Sequence, residues 1–193
     1  LKAYSYKSVE SILKNNLGCK VVAPAGSILE LSKAGFPSDR MSAIIPMQWD
    51  RQCDLDYLAI PAAHPEAPQN DKSGSDFVGY LIKVNGVNLF HSGDTVLYDG
   101  LVRNIRSMLS QIDIACIVSN GRDEIRERLG IVGNLTPTEA LFLAGEIHAE
   151  LMIPMHNDLF SGNSIDPDEL TRVRRESYPD QSVLLLKAGD GFL

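Results

Sequence analysis

Cysteine is scarce in this chain of 193 residues, and long apolar runs and basic clusters are missing. The three cysteines, Cys19, Cys53 and Cys116, are odd in number and far apart, which argues against a disulfide framework and a Cys-rich zinc site. Their apolar or strand-like surroundings predict buried thiols. No apolar stretch approaches the roughly 20 residues that cross a bilayer. The opening Leu1-Lys-Ala-Tyr-Ser-Tyr6 lacks the apolar core of a signal peptide. A cytoplasmic protein with no membrane partner is therefore expected. The net charge of −7 comes without a Lys/Arg tract, which argues against a nucleic-acid partner, because backbone binding draws on clustered positive charge. A small-molecule substrate fits better, and a local basic loop could still bind an anionic one. With 44% hydrophobic and 22% charged residues, the composition is that of an ordinary globular protein and argues against a disordered chain. Repeats, low-complexity segments and linkers are also absent, so residues 1–193 are expected to form one domain; homo-oligomer formation stays open. The first residue is Leu and the opening is polar, which reads as a chain joined partway through.

The pattern that is present is α/β. A helix is expected over residues 8–15 and a strand over 20–23. Ser27-x-x-Glu30 has the form of a capping box for a helix ending near Gly35. Two β-rich runs between residues 41 and 63 flank a polar stretch at 50–54. Strands at 77–83 and 87–91 are joined by Asn85-Gly86, the strongest short hairpin signal. Residues 65–75 form the longest turn-like segment, directly after His64. Helical spacing over 98–109, a β-branched strand at 112–118 and a strand at 151–154 follow. Thr136-Pro-Thr-Glu139 and Asp166-Pro-Asp-Glu169 each open a helix with a capping residue and an early Pro. A last strand is expected at 182–186.

Three of the apolar runs end in a potential metal ligand: Tyr57 to His64, Val87 to Asp94, and Leu151 to His156. In an α/β protein the carboxyl ends of the strands share a rim, so ligands delivered this way converge on one candidate centre. Imidazole and carboxylate suit Zn²⁺, Mn²⁺ or Fe²⁺, and a carboxylate can bridge two ions about 3.5 to 4 Å apart. Ser92 and Gly93 permit a tight turn before Asp94. The plainer alternative is a polar turn whose Asp caps the next helix. His64 taken alone would more often be a strand-end histidine bonded to backbone than a ligand, and Asp158, which with Asn157 could orient His156, could equally be a surface carboxylate. His91 should face away from Phe90 and support the site, and His148 reads as a helix-end histidine. Asn120-Gly-Arg-Asp-Glu124 follows a buried strand and also reaches the rim. There Asn120 and Arg122 are candidate substrate-binding residues, since a guanidinium fork holds carboxylate or phosphate. The alternative is a solvated loop leading to Arg126 and Arg128.

Phe90-His-Ser-Gly-Asp-Thr95, with Ala62-Ala-His-Pro65 before it and Ile153-Pro-Met-His-Asn-Asp158 after it, resembles the second half of a metallo-β-lactamase-fold hydrolase. The likeness is to the lactonase-like branch typified by L-ascorbate 6-phosphate lactonase and runs over nearly the whole chain. It implies the α/β, αββα sandwich of that family, with this chain as the C-terminal portion and the first strands missing. It also implies two divalent metal ions, Zn or Mn with Fe as a third option. His64 would ligate one, Asp94 would bridge both, and His156 would ligate the second, which makes Asp94 and His156 the catalytic pair. A metal-bound hydroxide would then attack a small cyclic ester or phosphorylated sugar derivative. The family's first motif, His-x-His-x-Asp-His, occurs nowhere in these residues, and with it go most remaining ligands and the acid/base Asp. A phosphodiesterase of the same fold and a noncatalytic scaffold or binding protein remain as alternatives.

Overall fold

The computed structural model describes residues 2–64, 77–156, 162–187 and 189–191. The chain runs α1 (Lys2–Asn15), β1 (Val21–Ala23), α2 (Ala25–Lys33), β2 (Met41–Ala43), β3 (Asp50–Gln52), β4 (Leu55–Pro61), β5 (Val78–Val84) and β6 (Val87–His91). It continues through α3 (Leu101–Met108), β7 (Ile112–Val118), α4 (Glu124–Arg128), α5 (Pro137–Glu146), β8 (Ala149–Met155), α6 (Pro167–Ser177) and β9 (Ser182–Val183). Seven strands form one sheet in the order β3-β4-β5-β6-β7-β8-β9, and β1 and β2 form a separate parallel pair. The large sheet is antiparallel from β3 to β6 and parallel from β6 to β9.

Alternation along β4 and β5 assigns the two faces of the large sheet. Leu58, Ile60, Leu81 and Phe90 turn toward the main core, where they meet Ile105 of α3, Leu141 and Leu143 of α5 and Leu170 of α6. Tyr57 and Ala59 turn the other way and pack with Ile44, Val22, Tyr80 and Ile82, which seats the small sheet on the second face. Helix α2 packs on β1 and β2 in turn. The layers thus run helices, large sheet, small sheet, helix, the αββα order of the expected fold. The small sheet covers β4 and β5. Leu89, Ile114 and Leu151, in register across β6 to β8 on the same face, stay half-buried.

Local chemistry accounts for most of the elements. Asn85 and Gly86 take φ of 51° and 81°, the two left-handed residues that a type I′ hairpin requires. Thr136 and Glu139 form a reciprocal capping box at α5 with Pro137 in its first turn, and Asp166 caps α6 through the N–H groups of Asp168 and Glu169. The Arg40 guanidinium donates to the carbonyls of Leu13, Asn16 and Cys19 at the carboxyl end of α1.

Several expectations need correction. Helix α1 begins at Lys2, earlier than residue 8. Helix α2 begins at Ala25, with Pro24 at its cap position and no side-chain cap, so Ser27 lies inside it. The polar stretch at 50–54 is itself a strand and a turn, because Asp50 to Gln52 pair with β4. The final strand ends at Val183. Cys53 is exposed in the β3–β4 turn at a φ of 54°, and Cys19 and Cys116 are half-buried, so the thiols are not fully buried. The loop at 65–75 and residues 157 and 158 lie outside the described residues. Among the described residues no helix is long and apolar enough to cross a membrane.

Candidate metal centre

Strands β4, β6, β7 and β8 all run the same way, because β4 and β6 are both antiparallel to β5 and β6 to β8 are parallel. Their carboxyl ends therefore share one edge of the sheet. His64 follows β4, Asp94 follows β6, Asn120 follows β7 and His156 follows β8. The pairing that matters is explicit: His156 Nε2 lies 3.1 Å from Asp94 Oδ1. A carboxylate oxygen accepts, so Nε2 carries the proton and Nδ1 carries the lone pair when the ring is neutral.

Two imidazole nitrogens at this rim, His64 Nδ1 and His156 Nδ1, are buried with no hydrogen-bond partner among the described residues. His64 instead meets the Phe77 ring edge-on, with centroids 5.4 Å apart. His156 sits at a φ of 68°, in the left-handed region that few non-glycine residues adopt. Its carbonyl accepts from Ile165 N–H at 3.2 Å, which ties the strand end to the start of α6.

Electrostatics reinforce the contact. The hydrogen bond from His156 holds the Asp94 carboxyl below the usual range against the cost of burial, and the charges of His156, His64 and His91 add to it. Reciprocally, the Asp94 hydrogen bond raises the His156 imidazole while burial opposes. His91 lies on the face opposite Phe90, as its place in the strand predicts. Its Nδ1 accepts from Gly93 N–H at 3.1 Å, and burial lowers its pKa although Asp94 pulls the other way. His148 lies just past α5, with Nδ1 3.2 Å from the Ser110 carbonyl oxygen.

The two residues expected to reach substrate are held by protein groups. Arg122 forms a two-pronged pair with Glu139, both contacts at 2.6 Å, and donates to the Asn134 carbonyl at 2.9 Å. Asn120 is 3% exposed; its Nδ2 donates to Asn163 Oδ1 at 2.8 Å and its Oδ1 accepts from Asn134 Nδ2 at 3.0 Å. Arg126 closes this network by donating to the Asn120 carbonyl at 2.7 Å. Sequence reasoning did not find Asn134, Asn163 or the second task of Glu139. An Arg and a capping Glu at the two ends of one loop were the available signal.

The donors fit a divalent ion in kind, two imidazoles and a carboxylate, with orphaned nitrogens at the rim. In number and spacing they fall short: among the described residues no group of three or more His, Cys, Asp or Glu side chains is close enough to hold a metal ion.

A family model for the β-lactamase superfamily domain matches residues 8–157, and the chain belongs to that family. Among individual relatives, it is 30% identical over 159 residues to the probable L-ascorbate-6-phosphate lactonase of Salmonella gallinarum. That match covers 76% of this chain and 43% of the lactonase, so the chain spans less than half the length of the curated relatives it matches. The metallo hydrolase Igni18 of Ignicoccus hospitalis superposes with a TM-score of 0.70 at 20% identity, covering 94% of this chain and 71% of that one. The metallo-β-lactamase fold protein YhfI of Bacillus subtilis gives a TM-score of 0.63 at 14% identity, covering 89% and 63%. At these identities the superpositions show a shared fold, which is the metallo-β-lactamase fold.

Proposed function

We propose that these residues form part of the active site of a metal-dependent hydrolase of the lactonase type, which acts on a small cyclic ester or a phosphorylated sugar derivative. The observation that carries the reading is the meeting of Asp94 and His156 at one rim, beside two imidazole nitrogens buried without a partner among the described residues. An orphaned buried nitrogen costs free energy, and a divalent ion is the partner this donor set suits. His64 and His156 would hold one ion each and Asp94 would serve both, with Zn or Mn as the ions and Fe as a third option. Ions bound there supply Lewis acidity and a water of lowered pKa. The hydrogen bond from His156 favours the anionic form of Asp94, the form that would accept them. Asn120 is buried and bonded to Asn134 and Asn163, so it would have to release one of them to reach substrate, whereas Arg122 is anchored by Glu139 and Asn134 and remains partly exposed. The lactonase relative supports the substrate class. The reading carries with it a cytoplasmic protein that works on a small molecule without nucleic acid or membrane.

The test is a panel of lactones set against bis(p-nitrophenyl) phosphate, with the protein and its Asp94→Ala variant. Lactone hydrolysis lost in the variant supports the proposal, and phosphodiester hydrolysis alone moves it to a phosphodiesterase. Inertness toward both, or activity that survives in Asp94→Ala, overturns it. One observation favours a second reading, a noncatalytic binding or scaffold protein: three closely spaced donors are not found among the described residues. That reading expects no metal after dialysis, measured by elemental analysis alongside intact mass, and expects His64→Ala, Asp94→Ala and His156→Ala to be tolerated.

A further inference from the structure

Asp94 sits in a turn between two buried hydroxyls that do the same job on opposite sides. Ser92 is 2% exposed and Thr95 is 1% exposed. The ladder between β6 and β7 ends at His91 and Cys116, where the β6 backbone starts to turn away. Ser92 continues it: its N–H donates to the Cys116 carbonyl at 2.9 Å, and its Oγ accepts from Val118 N–H at 2.9 Å while donating to the Gly93 carbonyl at 2.7 Å. On the other side Thr95 Oγ1 accepts from Ala63 N–H at 3.0 Å and donates to the Val96 carbonyl at 3.0 Å. Val96 N–H returns to the Ala63 carbonyl at 3.0 Å, which closes a clasp onto the residue before His64. Thr95 also accepts through its carbonyl from Leu135 N–H at 3.0 Å, in the loop that Arg122 holds.

We propose that Ser92 and Thr95 are positioning residues, which hang the Asp94 turn between the ends of β7 and β4 and so set where Asp94 stands relative to His64 and His156. Ser92 reaches the end of β7, which lies beside the end of β8 that carries His156, since Ser119 N–H bonds the Met155 carbonyl at 3.4 Å. Thr95 reaches the end of β4 that carries His64. Each hydroxyl spends its single proton on the turn's own backbone and accepts from the neighbouring strand, so neither can be replaced by an apolar group without leaving a buried N–H unpaired. The assignment rests on the metal-site reading for its consequence and on the hydrogen bonds alone for its geometry.

The decisive comparison is Thr95→Val, which keeps the shape and loses the acceptor, against Thr95→Ser, which keeps the hydroxyl. Three quantities are read: Mn²⁺ affinity by titration, exchange of the Ala63 amide, and the ring resonances of His64 and His156 without metal. The expected result for Thr95→Val is faster Ala63 exchange, shifted ring resonances and Mn²⁺ affinity weakened about 10- to 100-fold, as for other residues that orient ligands. Thr95→Ser should restore all three. Faster Ala63 exchange with unmoved rings and unchanged Mn²⁺ affinity overturns the proposal and leaves Thr95 a fold-stabilising residue. If the unaltered protein binds no Mn²⁺, the metal-site reading fails, and the ring resonances alone decide the positioning role. Ser92→Ala repeats the measurement from the other end, with Val118 as the reporting amide, should Thr95→Val not fold.

Discussion

His156 Nε2 and Asp94 Oδ1 stand 3.1 Å apart although 62 residues separate them in the chain. The contact joins the ends of β8 and β6, two strands with β7 between them, and each group shifts the other toward its charged form.

This reciprocal shift gives the metal-free protein a pH signature. Asp94 is lowered, so its contribution is present above the ordinary carboxylate pKa, about 3.9, and is lost as pH falls through its own lower value. His156 is raised, so its contribution is complete below the ordinary imidazole pKa, about 6.5, and is lost as pH rises through its higher value. The pair therefore stabilises most between about pH 4 and 6.5. His91 acts in the opposite sense, because burial lowers it and its neutral form is favoured as pH rises. The difference in urea midpoint between wild type and Asp94→Asn reads mainly this pair, with smaller contributions from the charges of His64 and His91 on Asp94. It should be largest in that window and shrink toward pH 9, and a difference that is flat with pH would contradict the assigned directions.

Arg122→Ala should destabilise by about 1–3 kcal/mol. A buried pair loses about 3–5 kcal/mol when one partner is removed, but these side chains are 34% and 24% exposed, so solvent screens part of the loss. The cost falls on Glu139, which would keep its bonds to Thr136 N–H and Oγ1 and lose two contacts of 2.6 Å. Chemical denaturation measures it, and a double-mutant cycle with Glu139→Gln assigns the coupling.

Much of the rim was legible because its residue types stand at the ends of apolar runs. Strand direction did the rest, since β4, β6 and β8 are parallel to one another and deliver His64, Asp94 and His156 to one edge. Partner choice was not legible. Glu139 matched a capping box, and nothing in a sequence shows that the same carboxylate also has lone pairs left for Arg122. Ser27 and Glu30 matched the same motif and do not cap, because Pro24 pre-sets the backbone three residues earlier and α2 starts there. The β1–β2 pair joins three-residue strands that are parallel and separated by a helix, a non-local contact no periodicity reports.

Arg40→Ala should loosen α1 without touching the rim. Its guanidinium serves the carbonyls of Leu13, Asn16 and Cys19, and a cation at that end of a helix also meets the negative pole of the helix dipole. A loss of about 1–3 kcal/mol is expected from hydrogen bonds to a charged group. Amide exchange should quicken in α1 and in residues 16–19 while β6 to β8 keep their protection. Equal loss across the large sheet would mean that α1 and the sheet unfold as one unit.

Gly93 tests how rigidly the Asp94 turn is built. Its φ is 60°, and a Cβ there would run into the Val78 carbonyl oxygen at the start of β5. Gly86 in the hairpin has a φ of 81° and open space where its Cβ would go. Both substitutions by Ala impose the left-handed cost of about 1–2 kcal/mol. Only Gly93→Ala adds a collision with backbone, and overpacking of that kind costs about 1–3 kcal/mol more. Urea unfolding of the two variants should therefore separate them, with Gly93→Ala the weaker protein. The relief available to Gly93→Ala is to push the turn away from β5, which would carry Asp94 off His156. Its pH signature should then flatten as in Asp94→Asn, whereas Gly86→Ala should keep the wild-type profile. Equal losses in both variants, with the profile intact in each, would show that β5 yields at Val78 and that the turn is less constrained than its hydrogen bonds imply.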